Sequence, residues 1–197
     1  MFILWRHDKF VQSVIDYSVE YKPNVIIIHS TIPVGTTKKI EAELEKCFVV
    51  HSPVRGVHPN LTDGLKTFVK YIGYNHKVGL NLAEEHFHKI GIKTKPIENT
   101  DSTELAKMLS TSYYGLVIAW HGEMKKMCDK YNVSFLAIKD WTHTYNEGYL
   151  NLGMMNVVRP NLVPPGNHIG GHCVIPNARL LKQTEESIAL DLILEYE

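Results

Sequence analysis

Val25-Ile26-Ile27-Ile28-His29, running into Ser30-Thr31-Ile32-Pro33-Val34-Gly35-Thr36-Thr37, is the passage on which the fold turns. Consecutive β-branched residues leave no polar face, which is the composition of a strand buried on both sides in a parallel sheet. Pro33 and Gly35 end that run in a loop, and the closing threonines suit the cap of a helix reaching to about Lys46. A strand that feeds a loop and then a helix is the first half of a βαβ repeat.

The same alternation extends on both sides. Upstream, Phe10, Val11, Val14, Ile15 and Val19 lie at helical spacing within Asp8–Tyr21, and Lys22-Pro23-Asn24 stops that helix. Downstream, strands are expected at Cys47–His51, Phe68–Gly73 and Ile92–Ile97, with a helix over Leu80–Ile90 and a loop over Pro53–Gly64. Residues 1–99 therefore read as one α/β domain with a mainly parallel sheet.

At residue 100 the pattern changes. Asn99-Thr100-Asp101-Ser102 offers N-caps, and no proline interrupts the chain from there to Tyr131. Leu105, Leu109, Leu116, Trp120, Met124 and Met127 fall on one stripe, so residues 101–131 are expected as one long helix, with Gly115 and Gly122 its weak points. Helices are also expected at Phe135–Tyr145, Pro176–Gln183 and Ser187–Tyr196, with an ordered loop over Gly153–Gly171. Residues 100–197 read as an all-α domain, and a helix of this length commonly carries an interdomain or intersubunit contact.

Bulk composition excludes several functions. Lys plus Arg and Asp plus Glu both number 21, so no net field draws the chain to nucleic acid or anionic lipid. No apolar run approaches a membrane span, and the N-terminus does not read as a signal peptide. Three cysteines, at 47, 128 and 173, form no C-x-x-C pair and fit a reducing compartment, so the cytoplasm is expected.

The chemistry concentrates in Gly170-Gly171-His172-Cys173-Val174-Ile175-Pro176-Asn177. Paired glycines leave the backbone approachable, and amides at a helix N-terminus stabilise a thiolate. The competing reading is a buried cysteine beside a tight turn. His168, His172 and Cys173 lack the partners that would complete a zinc site, so no metal is expected. His121-Gly122-Glu123 has no P-C-x-x-C partner for deaminase chemistry. His51 and His58 flank Arg55 in what reads as a loop, which is either a positive cluster suited to sugar or phosphate oxygens or simply a solvated loop.

Taken together, these segments resemble the NAD-dependent nucleotide-sugar dehydrogenases, the family that includes UDP-glucose and GDP-mannose 6-dehydrogenases. Ser30–Thr37 is similar to the family's S-T-V-P-x-G-T-T loop, Ser52-Pro53-Val54-Arg55 to its S-P-E-R, Glu104-Leu105-Ala106-Lys107 to the start of its central helix, and Gly170–Pro176 to its G-G-H-C-I-P turn. Motifs in that order and spacing are far more specific than any one of them. The resemblance implies a partial Rossmann-type sheet followed by an all-α central dimerisation domain, in an N- and C-terminally truncated member. It implies oxidation of a sugar primary alcohol to a carboxylate with NAD, through a thiohemiacetal and a thioester on cysteine, in a setting of polysaccharide biosynthesis. By the same resemblance Cys173 is the nucleophile, Lys107 steadies oxyanion charge, and Thr111 and Asn177 complete the catalytic set. Thr31, Pro33 and Gly35 fall on the cofactor side, and Arg55, Gly170, Gly171 and His172 on the nucleotide-sugar side. A homodimer through helix 101–131 is also implied.

Some positions depart from the family pattern. Val54 replaces the glutamate of S-P-E-R, Thr111 an asparagine and Asn177 an aspartate; an amide cannot take a proton from water at neutral pH. Thioester hydrolysis is then expected to be slow unless His172 or His168 acts as base. No G-x-G-x-x-G occurs in the sequence, so NAD affinity no tighter than millimolar (~4 kcal/mol) is expected. Two further readings stand beside the enzyme. One is a catalytically inactive dimerisation or nucleotide-sugar-binding protein of the same descent; the other is a zinc hydrolase using the histidine-rich loop.

Overall fold

The computed structural model describes residues 9–56 and 61–197. Two compact units divide the chain, Met1–Leu109 and Ser110–Glu197. The first unit contains α1 (Phe10–Tyr21), β1 (Val25–Ile28), α2 (Thr36–Ala42), β2 (Phe48–His51), α3 (Leu61–Thr67), β3 (Lys70–Tyr74), α4 (Lys77–Lys89), β4 (Thr94–Glu98) and the opening turns of α5 (Thr100–Lys130). The strands lie side by side in the order β1-β2-β3-β4.

Alternation along each strand sorts its side chains onto two faces. Ile26, Ile28 and Val49 pack with Phe10 and Val14 of α1 and Ile40 of α2. Val25, Ile27, Val50 and Ile72 pack with Leu80, Ala83 and Phe87 of α4 on the other face. The uninterrupted Val-Ile-Ile-Ile run is the direct result of β1 being covered twice.

β1 pairs with β2 in parallel, and so does β3 with β4. Between these pairs, β2 and β3 meet antiparallel through His51 opposite Gly73. An apolar run reports burial and not direction, which is why the reversal was invisible in the pattern. Two boundaries also differ from expectation. α2 ends at Ala42, and Leu44 turns back onto the core that holds Ile40 instead of continuing the helix. Part of the expected Pro53–Gly64 loop belongs to α3, where Leu65 joins the face covered by α4.

The second unit contains the rest of α5, then α6 (Phe135–Asn151), a 3-10 turn at Met155–Val157, α7 (Val174–Lys182) and α8 (Ile188–Leu194). Ser134 caps α6 by accepting from the Leu136 amide at 3.3 Å. α6 continues past Tyr145 to Asn151, because Gly148 faces open space and disturbs no packing. Gly115 and Gly122, the apparent weak points of α5, are packing positions. A Cβ on Gly115 would lie 2.4 Å from Val174, and one on Gly122 would lie 2.4 Å from the Tyr196 hydroxyl. The long loop is tied at intervals: Asn146 bonds Arg159 through both backbone and amide groups (2.8 and 2.9 Å), His121 Nε2 accepts from the Leu162 amide (3.2 Å), and the Ile169 amide donates to Tyr196 O (2.7 Å).

Candidate functional site

In the first unit the expected cofactor and substrate loops follow the ends of β1 and β2 and meet the start of α5. Thr31 and Pro33 lie half-buried in the loop after β1, and Gly35 sits at the N-cap of α2. Glu104, fully buried on α5, gathers that loop. Its carboxylate accepts from the Gly35 amide (2.6 Å), the Thr37 amide (2.8 Å) and the Thr37 hydroxyl (2.5 Å). Burial raises its pKa, while the hydrogen bonds from Thr37 and Gly35 oppose that rise.

The turn after β2 is held by two lysines. Lys107 Nζ donates to Val54 O at 2.9 Å. Lys70, buried at the head of β3, donates to Ser52 O (2.7 Å) and Pro53 O (3.1 Å). Burial and the charge of Lys107 push the Lys70 ammonium down to about 7. Arg55, the next residue along, spreads its guanidinium over Phe68 and Tyr71, 5.2 Å from each ring centre. It is placed by these two aromatic faces.

His51 corrects its expectation. It ends β2, as the expected Cys47–His51 strand has it, but its ring is fully buried, which removes it from the positive cluster expected around Arg55. Its Nε2 faces Ser30 O at 3.1 Å and must carry the hydrogen, since a carbonyl only accepts; Nδ1 then accepts from the Thr103 hydroxyl at 2.9 Å. Burial lowers its pKa to about 4, so it stays neutral. The ring thus ties the β1 loop to α5. His58 lies outside the described residues.

In the second unit, Cys173 occupies the N-cap of α7 and is exposed. Asn177 is buried one turn on, and its backbone N–H donates to Cys173 O at 3.1 Å. Gly171 has φ +89°, a conformation that L side chains rarely adopt, whereas a Cβ at Gly170 or Gly171 would meet nothing. The double glycine therefore shapes the turn and keeps its surface open. His168 and His172 are exposed, and Thr111 is half-buried on α5. Among the described residues no three His, Cys, Asp or Glu side chains gather as a metal site, and no helix is long and apolar enough to cross a membrane.

Lys70, His29 and Thr103 were not singled out from sequence, and Glu104 figured there only as the start of the Glu104–Lys107 helix match, without a role in the site. The one available signal was the spacing of Glu104 and Lys107, one turn apart on a helix.

No protein-family model matches the chain. It is 29% identical over 152 residues to UDP-N-acetyl-D-mannosamine dehydrogenase of Methanococcus maripaludis strain C7, covering 77% of this chain and 33% of that protein. The enzyme of the same name from Methanococcus vannielii is 28% identical over 165 residues, 83% of this chain and 35% of that protein. The chain thus spans about a third of the length of these curated relatives. Among solved structures, UDP-D-ManNAc dehydrogenase of Pyrococcus horikoshii superposes with TM-score 0.75 at 22% identity, over 96% of this chain and 46% of that one. Native UDP-N-acetyl-mannosamine dehydrogenase Cap5O of Staphylococcus aureus gives 0.71 at 21%, over 96% and 45%. These likenesses establish the fold class as α/β of Rossmann type.

Proposed function

We propose that this chain, which belongs to the nucleotide-sugar dehydrogenase family, acts in the oxidation of a sugar primary alcohol to a carboxylate, with Cys173 as its nucleophile. The observation that carries this reading is the exposed cysteine at the N-terminus of α7, beside a turn whose glycines leave it accessible. The names of the relatives favour a nucleotide sugar bearing an N-acetylhexosamine as substrate class. Its enzymatic role takes precedence over the inactive or zinc-dependent alternatives, because those relatives are dehydrogenases.

In this reading the Cys173 thiolate adds to an aldehyde carbon, and the carbonyl π electrons become an alkoxide. Lys107 would supply the cation that offsets the alkoxide charge. Thr111, one turn further along α5, offers a hydroxyl, and Asn177 would orient water without accepting its proton. Gly170, Gly171 and His172 would bound the sugar, with Arg55 for its oxygens.

NAD is the hydride acceptor that the family implies. The fit is incomplete: Thr31, Pro33 and Gly35 offer a loop at the strand ends, but no G-x-G-x-x-G is present to cradle a pyrophosphate. The homodimer through helix 101–131 is part of the same proposal; Tyr113, Tyr114, Trp120 and Met127 are exposed along it. A cytoplasmic setting is part of the same proposal.

Competitive alkylation tests the assignment. At neutral pH, limiting iodoacetamide followed by peptide mass spectrometry should label Cys173 at least about tenfold faster than Cys47 or Cys128. Cys47 is half-buried with its pKa raised by burial, and Cys128 is buried. Equal rates, or preference for either of those two, would remove the nucleophile.

A further inference from the structure

Lys70 is 3% exposed, and no carboxylate pairs with it among the described residues. Besides Ser52 O and Pro53 O, its Nζ has His29 Nδ1 at 3.2 Å and the Phe87 ring centre at 5.7 Å. An ammonium has three hydrogens and no lone pair, so satisfying all three neighbours requires His29 Nδ1 to be bare. Yet His29 Nδ1 also lies 2.8 Å from Ser52 O. A carbonyl has no hydrogen to give, and that contact is favourable only when Nδ1 carries one.

Both requirements cannot hold together, but each belongs to a complete network. With Lys70 charged, Nζ donates to Ser52 O, Pro53 O and His29 Nδ1, and the His29 hydrogen is on Nε2. With Lys70 neutral, Nζ donates to the two carbonyls and offers its lone pair to Nδ1–H, which also reaches Ser52 O. Passing from the first to the second releases one proton to solvent and moves one from Nε2 to Nδ1 of the ring. No other atom changes hands.

We propose that Lys70 and His29 are a proton-linked positioning pair, in which the charge of Lys70 selects the His29 tautomer and sets the Ser52-Pro53-Val54 turn on which Lys107 rests. The groups around it bear this out as a local device. His29 lies at the end of β1, His51 is in β2, His86 and the Phe87 ring are on α4, and Lys107 is on α5. Among the described residues, the charged or titratable side chains acting on the pair are histidines or lysines, and burial holds His29 and His51 near 4, so both stay neutral while Lys70 titrates. Because Lys107 Nζ donates to Val54 O, a shift in the turn reaches that side chain directly. The catalytic meaning rests on the role proposed for Lys107; the pairing itself does not.

The test is long-range nitrogen–proton NMR of the full chain labelled with 15N-histidine, between about pH 5.5 and 8.5. In the wild type His29 should pass from the Nε2–H to the Nδ1–H tautomer with a midpoint near 7, and the Val54 and Arg55 amides should follow the same midpoint. Lys70→Arg, which keeps its charge, should hold His29 as Nε2–H throughout. Lys70→Met should hold it as Nδ1–H, donating to Ser52 O. A single tautomer across the range in the wild type overturns the proposal, and so does switching that persists in Lys70→Arg. Should Lys70→Met not fold, the wild type and Lys70→Arg still decide it. Absence of dehydrogenase turnover bears on Lys107 and Cys173 and leaves this result untouched.

Discussion

The loops around the opening turns of α5 and the turn before α7 are built on opposite plans. The first is a buried polar lattice: Glu104, His51, Thr103 and Lys70 are almost wholly hidden, and each is satisfied by backbone or hydroxyl groups. The second is an open corner, with Gly170, Gly171, His172 and Cys173 all exposed. Buried polar groups fix geometry because losing one partner strands the other without water. An open corner fixes little but leaves a thiol reachable. The molecule thus spends stability where position matters and withholds it where access matters.

Substitutions that break the lattice should cost most. Glu104→Leu leaves a buried amide, a half-buried amide and a buried hydroxyl without their acceptor and should destabilise by about 3 kcal/mol or more in urea unfolding. Glu104→Gln should cost less, since its amide oxygen still accepts. A loss below about 1 kcal/mol for the leucine variant would mean the loop does not depend on this carboxylate.

Acid should act on the same lattice. His29 and His51 have native pKa values of about 4 against 6.5 unfolded. Between those values the unfolded chain binds more protons, so their contribution is complete above 6.5 and is lost as pH falls through 4. Each is worth on the order of 3 kcal/mol. Glu104, with its raised pKa, pulls the other way in acid. A His51→Asn variant should therefore lose stability less steeply than wild type from pH 6.5 to 4, as urea midpoints will show; equal slopes would contradict the assignment.

Gly122→Ala forces a Cβ to 2.4 Å from the Tyr196 hydroxyl, which is held by Glu123 at 2.7 Å, and should cost about 1–3 kcal/mol. The open corner should respond least. Gly171→Ala, at φ +89°, should cost about 1 kcal/mol, and Gly170→Ala, in open space, less than about 0.5. Thermal shift of the two side by side separates backbone strain from crowding.

The legible parts of this chain were those that repeat. β-branched runs, helical stripes and proline or glycine stops placed β1, β2, α1, α4 and α5 within a few residues, because burial leaves a periodic trace. The Gly-Gly-His-Cys turn was legible because its residue types are rare in combination. The lattice was not. Glu104 in a first helical turn reads like a solvated dipole partner, and Lys70 at the head of a strand reads like an edge charge. Their partners are backbone atoms from segments distant in sequence, which carry no residue-type signal. Strand direction between β2 and β3 was hidden for a related reason: pairing sense depends on the connection, not on the strand's own side chains.

Thr100, Thr103, Glu104 and Lys107 share one stripe of α5, and between them they engage Asn75, His51, the Gly35–Thr37 segment and Val54. A stripe of this kind works like the bitting of a key. Adding or deleting one residue within it would turn the residues beyond that point by about 100° and withdraw them from their partners in the same step. Length changes in this stretch are therefore barred far more strictly than changes of residue type.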